Sequence, residues 1–382
     1  MKNVKIIYLS SCICGVILFI MGLFFLFSIE NAQPDISDIK PIDTSNDKSP
    51  DFFDNYTDSM EPMNFLILVK EASGDHTDTI IIANYNPSTR QINLLSVPRD
   101  TKAGTNASYK VNNAFYLGQK KSSKLQELSV SEQNHKAAEH AAQIISNLTN
   151  ININYYVYLE IDTIKEIIDK LGGVYFDVPA KLKYTDPAQD LYIDLQKGYQ
   201  LLDGDKSEQL LRFRKAHTSY YTASELKEYR KVYDGSDLKR TEIQVKFINE
   251  MIQQKVSLLQ LPKLIPIIGY AFDNVITNTT LNDTLSLLKA FTQGSRPEMN
   301  TFKLYGVDMN ISDTDYVVYN YTFENTKTKK VVKAQEVIDA YFSSASGNYI
   351  PESGKSYNFG EILKNNPSNK ASDTKEPNED IP

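Results

Sequence analysis

The sequence predicts an α/β domain, an αβα three-layer sandwich around a mixed central sheet, preceded by one N-terminal transmembrane helix. Three observations predict it. The first is an uncharged apolar run, "IIYLSSCICGVILFIMGLFFLFSI", from Ile6 to Ile29. The second is a set of short Ile/Leu/Val-rich runs whose apolarity is continuous rather than alternating, as in strands covered on both faces. The third is the alternation of such runs with helical periodicities, which implies helices packed on a partly parallel sheet.

As a helix, the 6–29 run rises about 36 Å, enough to cross the hydrocarbon core with some tilt. It is longer than the apolar core of a cleavable signal peptide. Lys2 and Lys5 precede it and the acidic "IENAQPDISD" follows. The positive-inside rule therefore places residues 1–5 in the cytoplasm and the main domain outside, on a single-pass anchor in the cell membrane. Residues 30–61, rich in Asp, Pro, Ser and Asn, read as a linker. Residues 62–350 form the extracytoplasmic domain. Residues 351–382 include "NNPSNKASDTKEPNEDIP", lack apolar periodicity and read as a disordered tail.

Within the domain, "NFLILV" (64–69), "TIIIANY" (79–85) and "QINLLSV" (91–97) are strands. The compact "NPSTR" turn joins the second to the third as a hairpin. "SEQNHKAAEHAAQIISNLT" (131–149) is a helix with Ser131 at its N-cap. "YYVYLEI" (155–161) is a strand, and "DTIKEIIDKLGG" (162–173) a helix ended by glycine. Residues 236–255 form a long amphipathic helix capped by Ser236 or Asp237. Residues 280–294 and 334–342 are further helices.

Composition narrows the function. The chain has 382 residues, 41% hydrophobic, with net charge −7, so it has material for a core and no bias toward nucleic acid. Its only cysteines, Cys12 and Cys14, lie in the apolar run. The four histidines (His76, His135, His140, His217) show no metal-ligand spacing, which argues against zinc.

Four groups of residues carry chemistry. In "NLLSVPRDT", Pro98 ends a strand, because it lacks a ladder donor, and delivers Arg99 and Asp100 to a strand end. Asp78 stands immediately before the next buried strand, at a neighbouring end. Two carboxylates in one crevice repel unless a cation relieves them. In "LLRFRKAH", Arg212 and Arg214 alternate and, if extended, share a face. Guanidiniums on one face call for an anion between them, and phosphate suits their planar fork. In "SDLKRTEIQ", Asp237, Arg240 and Gln244 fall on one helix face. Each group alone also reads as ordinary surface chemistry. Together they supply carboxylates for a divalent cation and arginines for a polyanion.

At these residues the sequence resembles the LytR–CpsA–Psr family of bacterial envelope proteins. "TDTIIIANYNPSTRQINLLSVPRDT" resembles its signature, in which "SDT", a strand, "NP", a second strand and "PRD" follow one another. "KVNNAFYLG" (110–118), "YYVYLEIDTIKEIIDKLGGVYFDVP" (155–179), "GYQLLDG" (198–204), Arg212-x-Arg214 and "DLKRTEIQ" match later elements in the family's order. The resemblance implies an enzyme, a membrane-anchored phosphotransferase. Its substrate would be an undecaprenyl pyrophosphate-linked anionic glycopolymer, of teichoic acid or capsule type, with the polyprenyl tail in a hydrophobic tunnel. The polymer would pass to a peptidoglycan hydroxyl with Mg²⁺ (or Mn²⁺), with pyrophosphate hydrolysis as a side activity. Residue by residue, it implies Asp78 as a metal ligand, with Glu71 a second. Arg99, Arg212, Arg214 and Arg240 would hold the pyrophosphate, helped by Gln244 and supported by Asp237. Asp100 would orient Arg99 or accept a proton.

The chain departs from the family pattern in places. Val69, Glu71 and Ser73 stand where Gly-x-Asp-x-Arg is common, His76 where an Arg precedes "SDT", and Ile243-Gln244 where the helix has "RQ". The stretch 215–236 is long and is expected to form a lid or polymer-binding flap. These losses leave an alternative from another class, a non-catalytic binder of lipid-linked precursor or wall glycan.

Overall fold

The computed structural model describes residues 61–344, apart from 71–74, 105–106, 126–127, 188–190, 234, 236, 257–260, 293–296 and 326. They belong to one compact unit, Asn55–Pro382. The apolar run 6–29, the linker up to residue 60 and the 351–382 tail lie outside the described residues. No described helix is long and apolar enough to cross a membrane.

The first three strands form an antiparallel meander of β1 (Met63–Lys70), β2 (Thr77–Asn86) and β3 (Gln91–Ser96), with Leu66 opposite Ile82 and Ile82 opposite Leu95. The "NPSTR" segment makes the hairpin turn, where Asn86 Oδ1 accepts from Thr89 N at 3.2 Å. The β2 strand starts two residues earlier than the apolar run, so Asp78 lies inside its first turn of pleat and not before it.

Two helices follow, α1 (Ala114–Ser122) and α2 (Val130–Thr149). The α2 cap is Ser129, not Ser131. Its hydroxyl accepts from Glu132 N while the Glu132 carboxylate returns to the Ser129 backbone, and only Ser129 has a Glu three residues on. The chain then enters β4 (Tyr155–Glu160), parallel to β1, and leaves it through α3 (Ile161–Lys170).

A stretch not anticipated as strands makes two small ribbons. In them β5 (Val174–Val178) pairs with β8 (Gly198–Leu202), and β6 (Leu182–Asp186) with β7 (Leu191–Leu195). Next come α4 (Gly204–Arg212), α5 (Ala223–Val232), α6 (Asp237–Lys255) and α7 (Leu261–Asn274). The short β9 (Ile276–Thr277) and α8 (Leu281–Thr292) lead to a long hairpin, β10 (Glu298–Ile311) and β11 (Thr314–Asn325). The described chain closes with β12 (Val331–Lys333) and α9 (Ala334–Tyr341).

The eight-stranded sheet runs β12-β11-β10-β3-β2-β1-β4-β9 and is mixed, with β10 parallel to β3 and β4 parallel to β1. Leu66, Leu68, Ile80 and Ile82 face one core with α1, α2 and α9. Ile81, Tyr85, Ile92 and Leu94 face a second core that includes Val245 of α6 and Ala290 of α8. Strands covered on both faces explain their continuous apolarity. A third core joins α3, α4, α5 and α6 to the small ribbons.

One polar feature crosses the first core. Asn64, Asn84, Asn93 and Asn300 sit side by side on four strands, each amide donating to the next carbonyl at 2.9, 3.1 and 3.0 Å. Asn64 also donates to the carbonyls of Asn152 and Phe342. A buried amide costs free energy unless paired, and this ladder pairs them in a register that a slip would break.

Candidate active site

The strand ends explain the site. Val97 makes the last ladder bond, to Ile80 O at 2.9 Å, and Pro98 turns the chain, with Thr101 N donating back to Pro98 O. Arg99 thereby leaves the sheet beside the start of β2. Its Nη1 meets Asp78 Oδ2 at 3.0 Å, and its Nε lies 3.8 Å from Asp100 Oδ2. The other Asp100 oxygen is 2.7 Å from Lys110 Nζ. Two cations therefore relieve the two carboxylates, Arg99 that of Asp78 and Lys110, with Arg99 farther off, that of Asp100.

The "KVNN" element fastens this loop. Val111 N donates to Thr101 O at 2.8 Å, Asn112 N to Arg99 O at 3.3 Å, and Thr77 Oγ1 to Asn112 O at 3.3 Å. Lys110 was not among the residues singled out from the sequence.

The Arg-x-Arg pair is not a strand. Arg212 is the last residue of α4, and Arg214 follows the buried Phe213 in extended backbone beyond it. The α4 N-terminus explains "LDG": the Asp203 side chain accepts from Lys206 N at 2.9 Å, and a Cβ on Gly204 would meet Lys165 O at 2.6 Å. The Arg212 side chain is only 2% exposed, and its Nη1 donates to Glu208 Oε1 at 2.9 Å one turn back. The second Glu208 oxygen meets Lys165 Nζ at 2.9 Å. The hydrogen bond that Lys165 donates to Glu208, against the opposing effect of burial, holds its ammonium above its ordinary value. Within the 215–236 stretch, expected to form a lid or flap, Tyr229 and Tyr233 stack at 5.4 Å and are buried against Phe213, so α5 and its end are packed into the fold.

From α6, the buried Arg240 donates to Asp78 O at 2.8 Å, and Gln244 to Thr79 Oγ1 at 3.1 Å and Leu211 O at 2.9 Å. One face of α6 thus grips the start of β2 and the end of α4. The Asp237 side chain and Glu71 lie outside the described residues. His76 meets the edge of Tyr116.

The result is a cavity of about 220 Å³ lined by Arg99, Arg212, Arg214, Lys215 and Arg240, with Tyr184 and Leu191 completing the wall. Among the described residues five cations and no carboxylate line it, so an anion is the ligand its electrostatics favour. Sequence reasoning found the four arginines but not Lys215 or Tyr184. Glu208 was missed as well, although its place four residues before Arg212 is the signal that could have found it. Lys165 gave no local signal. A second cavity of about 230 Å³, lined by Ile67, Val69, Ile164, Phe247 and Met251 among others, shares Arg212 with the first. A charged cavity and an apolar one therefore meet at one residue, Arg212.

Among the described residues, no three His, Cys, Asp or Glu side chains gather in a metal-binding cluster. Asp78 and Asp100 are hard oxygen donors beside the cationic cavity. Mg²⁺ is commonly held by one or two carboxylates, with waters and substrate phosphates filling the shell, and the pair fits the ion on that condition.

The chain is similar to known proteins. A teichoic acid transferase of Bacillus subtilis, TagV, named as a polyisoprenyl-teichoic acid–peptidoglycan transferase, is 24% identical over 278 residues, 71% of this chain and 62% of that protein. The chain thus spans less than two thirds of that relative's length. TagU of Halalkalibacterium halodurans, of the same named activity, is 22% identical over 307 residues, 78% of this chain and 86% of that one. The crystal structure of Bacillus subtilis TagV matches the fold with a TM-score of 0.53 at 22% identity, over 68% of this chain and 91% of that chain. The model of the LytR_cpsA_psr family matches residues 26–337, and the chain belongs to that family.

Proposed function

We propose that the protein is a membrane-anchored phosphotransferase. It attaches a polyprenyl pyrophosphate-linked anionic glycopolymer, of the teichoic acid type on which its named relatives act, to peptidoglycan. The observation that carries this reading is the junction at Arg212 of a five-cation cavity with an apolar one. Few ligands are a doubly charged phosphate group on a long hydrocarbon, and a polyprenyl pyrophosphate is one. The uncharged run 6–29 supports an anchor with the main domain outside the cell.

In this reading Arg99, Arg212, Arg214 and Arg240 hold the pyrophosphate, and Ile164, Phe247 and Met251 line the start of the polyprenyl path. The acceptor hydroxyl oxygen bonds to the sugar-linked phosphorus as its proton passes to the Asp100 carboxylate. The bond from that phosphorus to the bridging oxygen breaks, and polyprenyl phosphate leaves. Water in place of the acceptor gives the pyrophosphatase side activity. The guanidiniums are prepositioned against charge that spreads over the phosphoryl oxygens in the transition state. Asp78 and Asp100 orient Arg99 and would hold Mg²⁺. That ion would offset phosphate charge and polarise the phosphoryl group.

The test is titration of the full chain with a polyprenyl pyrophosphate, together with a phosphate-release and glycan-transfer assay, each with and without Mg²⁺. Turnover is expected. Binding without turnover would favour a non-catalytic holder of lipid-linked precursor, and no binding would end both readings.

A further inference from the structure

A third cavity, of about 360 Å³, opens at the C-terminal ends of β1 and β4. The chain enters β4 from α2 on one sheet face and leaves it into α3 toward the other, so the crevice lies where open α/β sheets take ligands. Its volume falls in the range of small-molecule sites, about 300–1,000 Å³.

The lining contrasts with the arginine cavity. Lys70, at the end of β1, and Glu160, at the end of β4, pair at 3.2 Å. Asp75 joins them, so among the described residues one cation faces two carboxylates. Gln119 Nε2 donates to Asn134 Oδ1 at 2.9 Å, and both amides border the space. Tyr158, stacked on Phe115 at 3.7 Å between ring centres, borders it too. Burial, then the charges of Glu160 and Asp75, push the Tyr158 hydroxyl above its ordinary value, so it stays a neutral donor.

Two carboxylates repel phosphate. Amides, a phenol and carboxylates together offer both donors and acceptors, which suits a ligand carrying many neutral hydroxyl and acetamido groups. We infer that this cavity is a subsite for a neutral glycan, an N-acetylhexosamine chain, separate from the pyrophosphate cavity. Its place in the reaction rests on the phosphotransfer reading. Asp75 borders this cavity, and three residues on Asp78 pairs with Arg99, so the start of β2 lies between the two. A glycan hydroxyl held here would approach the phosphate site from the sheet face opposite the apolar cavity. Two sources carry this chemistry, the acceptor glycan strand and the sugar already linked to the donor.

The test uses the full chain in detergent and an N-acetylglucosamine tetramer as probe, by isothermal titration. The wild-type chain is expected to bind the tetramer, and Asn134→Leu, which fills the cavity with an apolar branch, to weaken it about tenfold. Glu160→Gln is the second variant; its pair is half exposed, so the fold survives the change, and it too should weaken binding. Binding of the tetramer alongside a sugar-bearing lipid pyrophosphate assigns the subsite to the acceptor; displacement assigns it to the donor sugar. No tetramer binding by wild type, or equal binding by both variants, overturns the subsite. A parallel titration with sugar-free polyprenyl pyrophosphate separates the two ideas, because its failure tells against the phosphotransfer reading alone.

Discussion

Arg212 and Glu208 lie one turn apart on α4, and the Glu208 carboxylate bridges the Arg212 guanidinium and the Lys165 ammonium, each at 2.9 Å. Glu208 thus fixes the buried guanidinium of Arg212, the residue that lines both the charged and the apolar cavity. It also removes part of the positive charge that an incoming pyrophosphate meets. Glu208→Gln separates those effects. The lost charge makes the cavity more positive and leaves ground-state binding no weaker, while a loosened Arg212 stabilises the transition state less. We expect kcat to fall about tenfold with KM unchanged or lower. A raised KM at constant kcat would show that Glu208 serves binding alone.

Arg99 and Arg212 reach the cavity from different elements, a strand end and a helix end. Alanine at either should lower turnover of the lipid pyrophosphate about 10²–10³-fold. In Arg212→Ala, Glu208 keeps Lys165 as a partner, so no buried charge is orphaned and the melting transition should persist. Near-normal turnover by both variants would sink the site assignment.

The apolar cavity makes a chain-length prediction. Ile164 of α3 is half-buried and lines it, so Ile164→Phe fills space without entering the packed core. Affinity for a long polyprenyl pyrophosphate should drop about tenfold, since each excluded methylene forfeits about 0.8 kcal/mol. Affinity for a short isoprenyl pyrophosphate should not change. Equal losses for both ligands, measured by titration, would place the tail elsewhere.

Much of the meander was legible because β1, β2 and β3 are buried on both sides, and two-sided burial writes itself as an unbroken apolar run. That Asp78 meets the Arg99–Asp100 loop was also legible, since a proline-terminated strand and its antiparallel neighbour must end at one edge; the direct Arg99–Asp78 pair was not. The geometry of Arg212 and Arg214 was not. Alternation alone does not distinguish a strand from a helix end followed by one extended residue, and the Phe213 anchor is a tertiary fact. The small ribbons from β5 to β8 were missed for another reason. Tyr175, Tyr192 and Tyr199 point outward, which blurs the apolar–polar alternation of a strand.

The asparagine ladder was hidden in the same way, because Asn within or beside an apolar run reads as turn chemistry. Asn84 is its centre, donating to Asn64 and accepting from Asn93. Asn84→Ala leaves one buried acceptor and one buried donor unpaired. The expected loss is about 2–4 kcal/mol by urea unfolding, with an unchanged m-value. A change within about 0.5 kcal/mol, ordinary for a surface site, would show that the ladder contributes nothing to stability.

Glu242 supplies a pH prediction. It projects from α6 to Lys303 of β10 at 2.6 Å and to Lys239 at 3.1 Å, tying the helix that carries Arg240 and Gln244 to the sheet. Burial acts to raise its carboxyl, but the two lysines outweigh it and hold it below the ordinary value of 4.5. A carboxyl depressed in the fold binds its proton more readily in the unfolded chain, so stability rises with pH across this range. The contribution is complete above the unfolded value and is lost as pH falls below about 4.5 through the folded one. Glu242→Gln should therefore lower stability by about 1–3 kcal/mol at pH 7. The difference from wild type should shrink as the pH is taken down toward 3. An equal deficit at both ends of that range, in unfolding curves, would mean that Glu242 acts through packing and not through its charge.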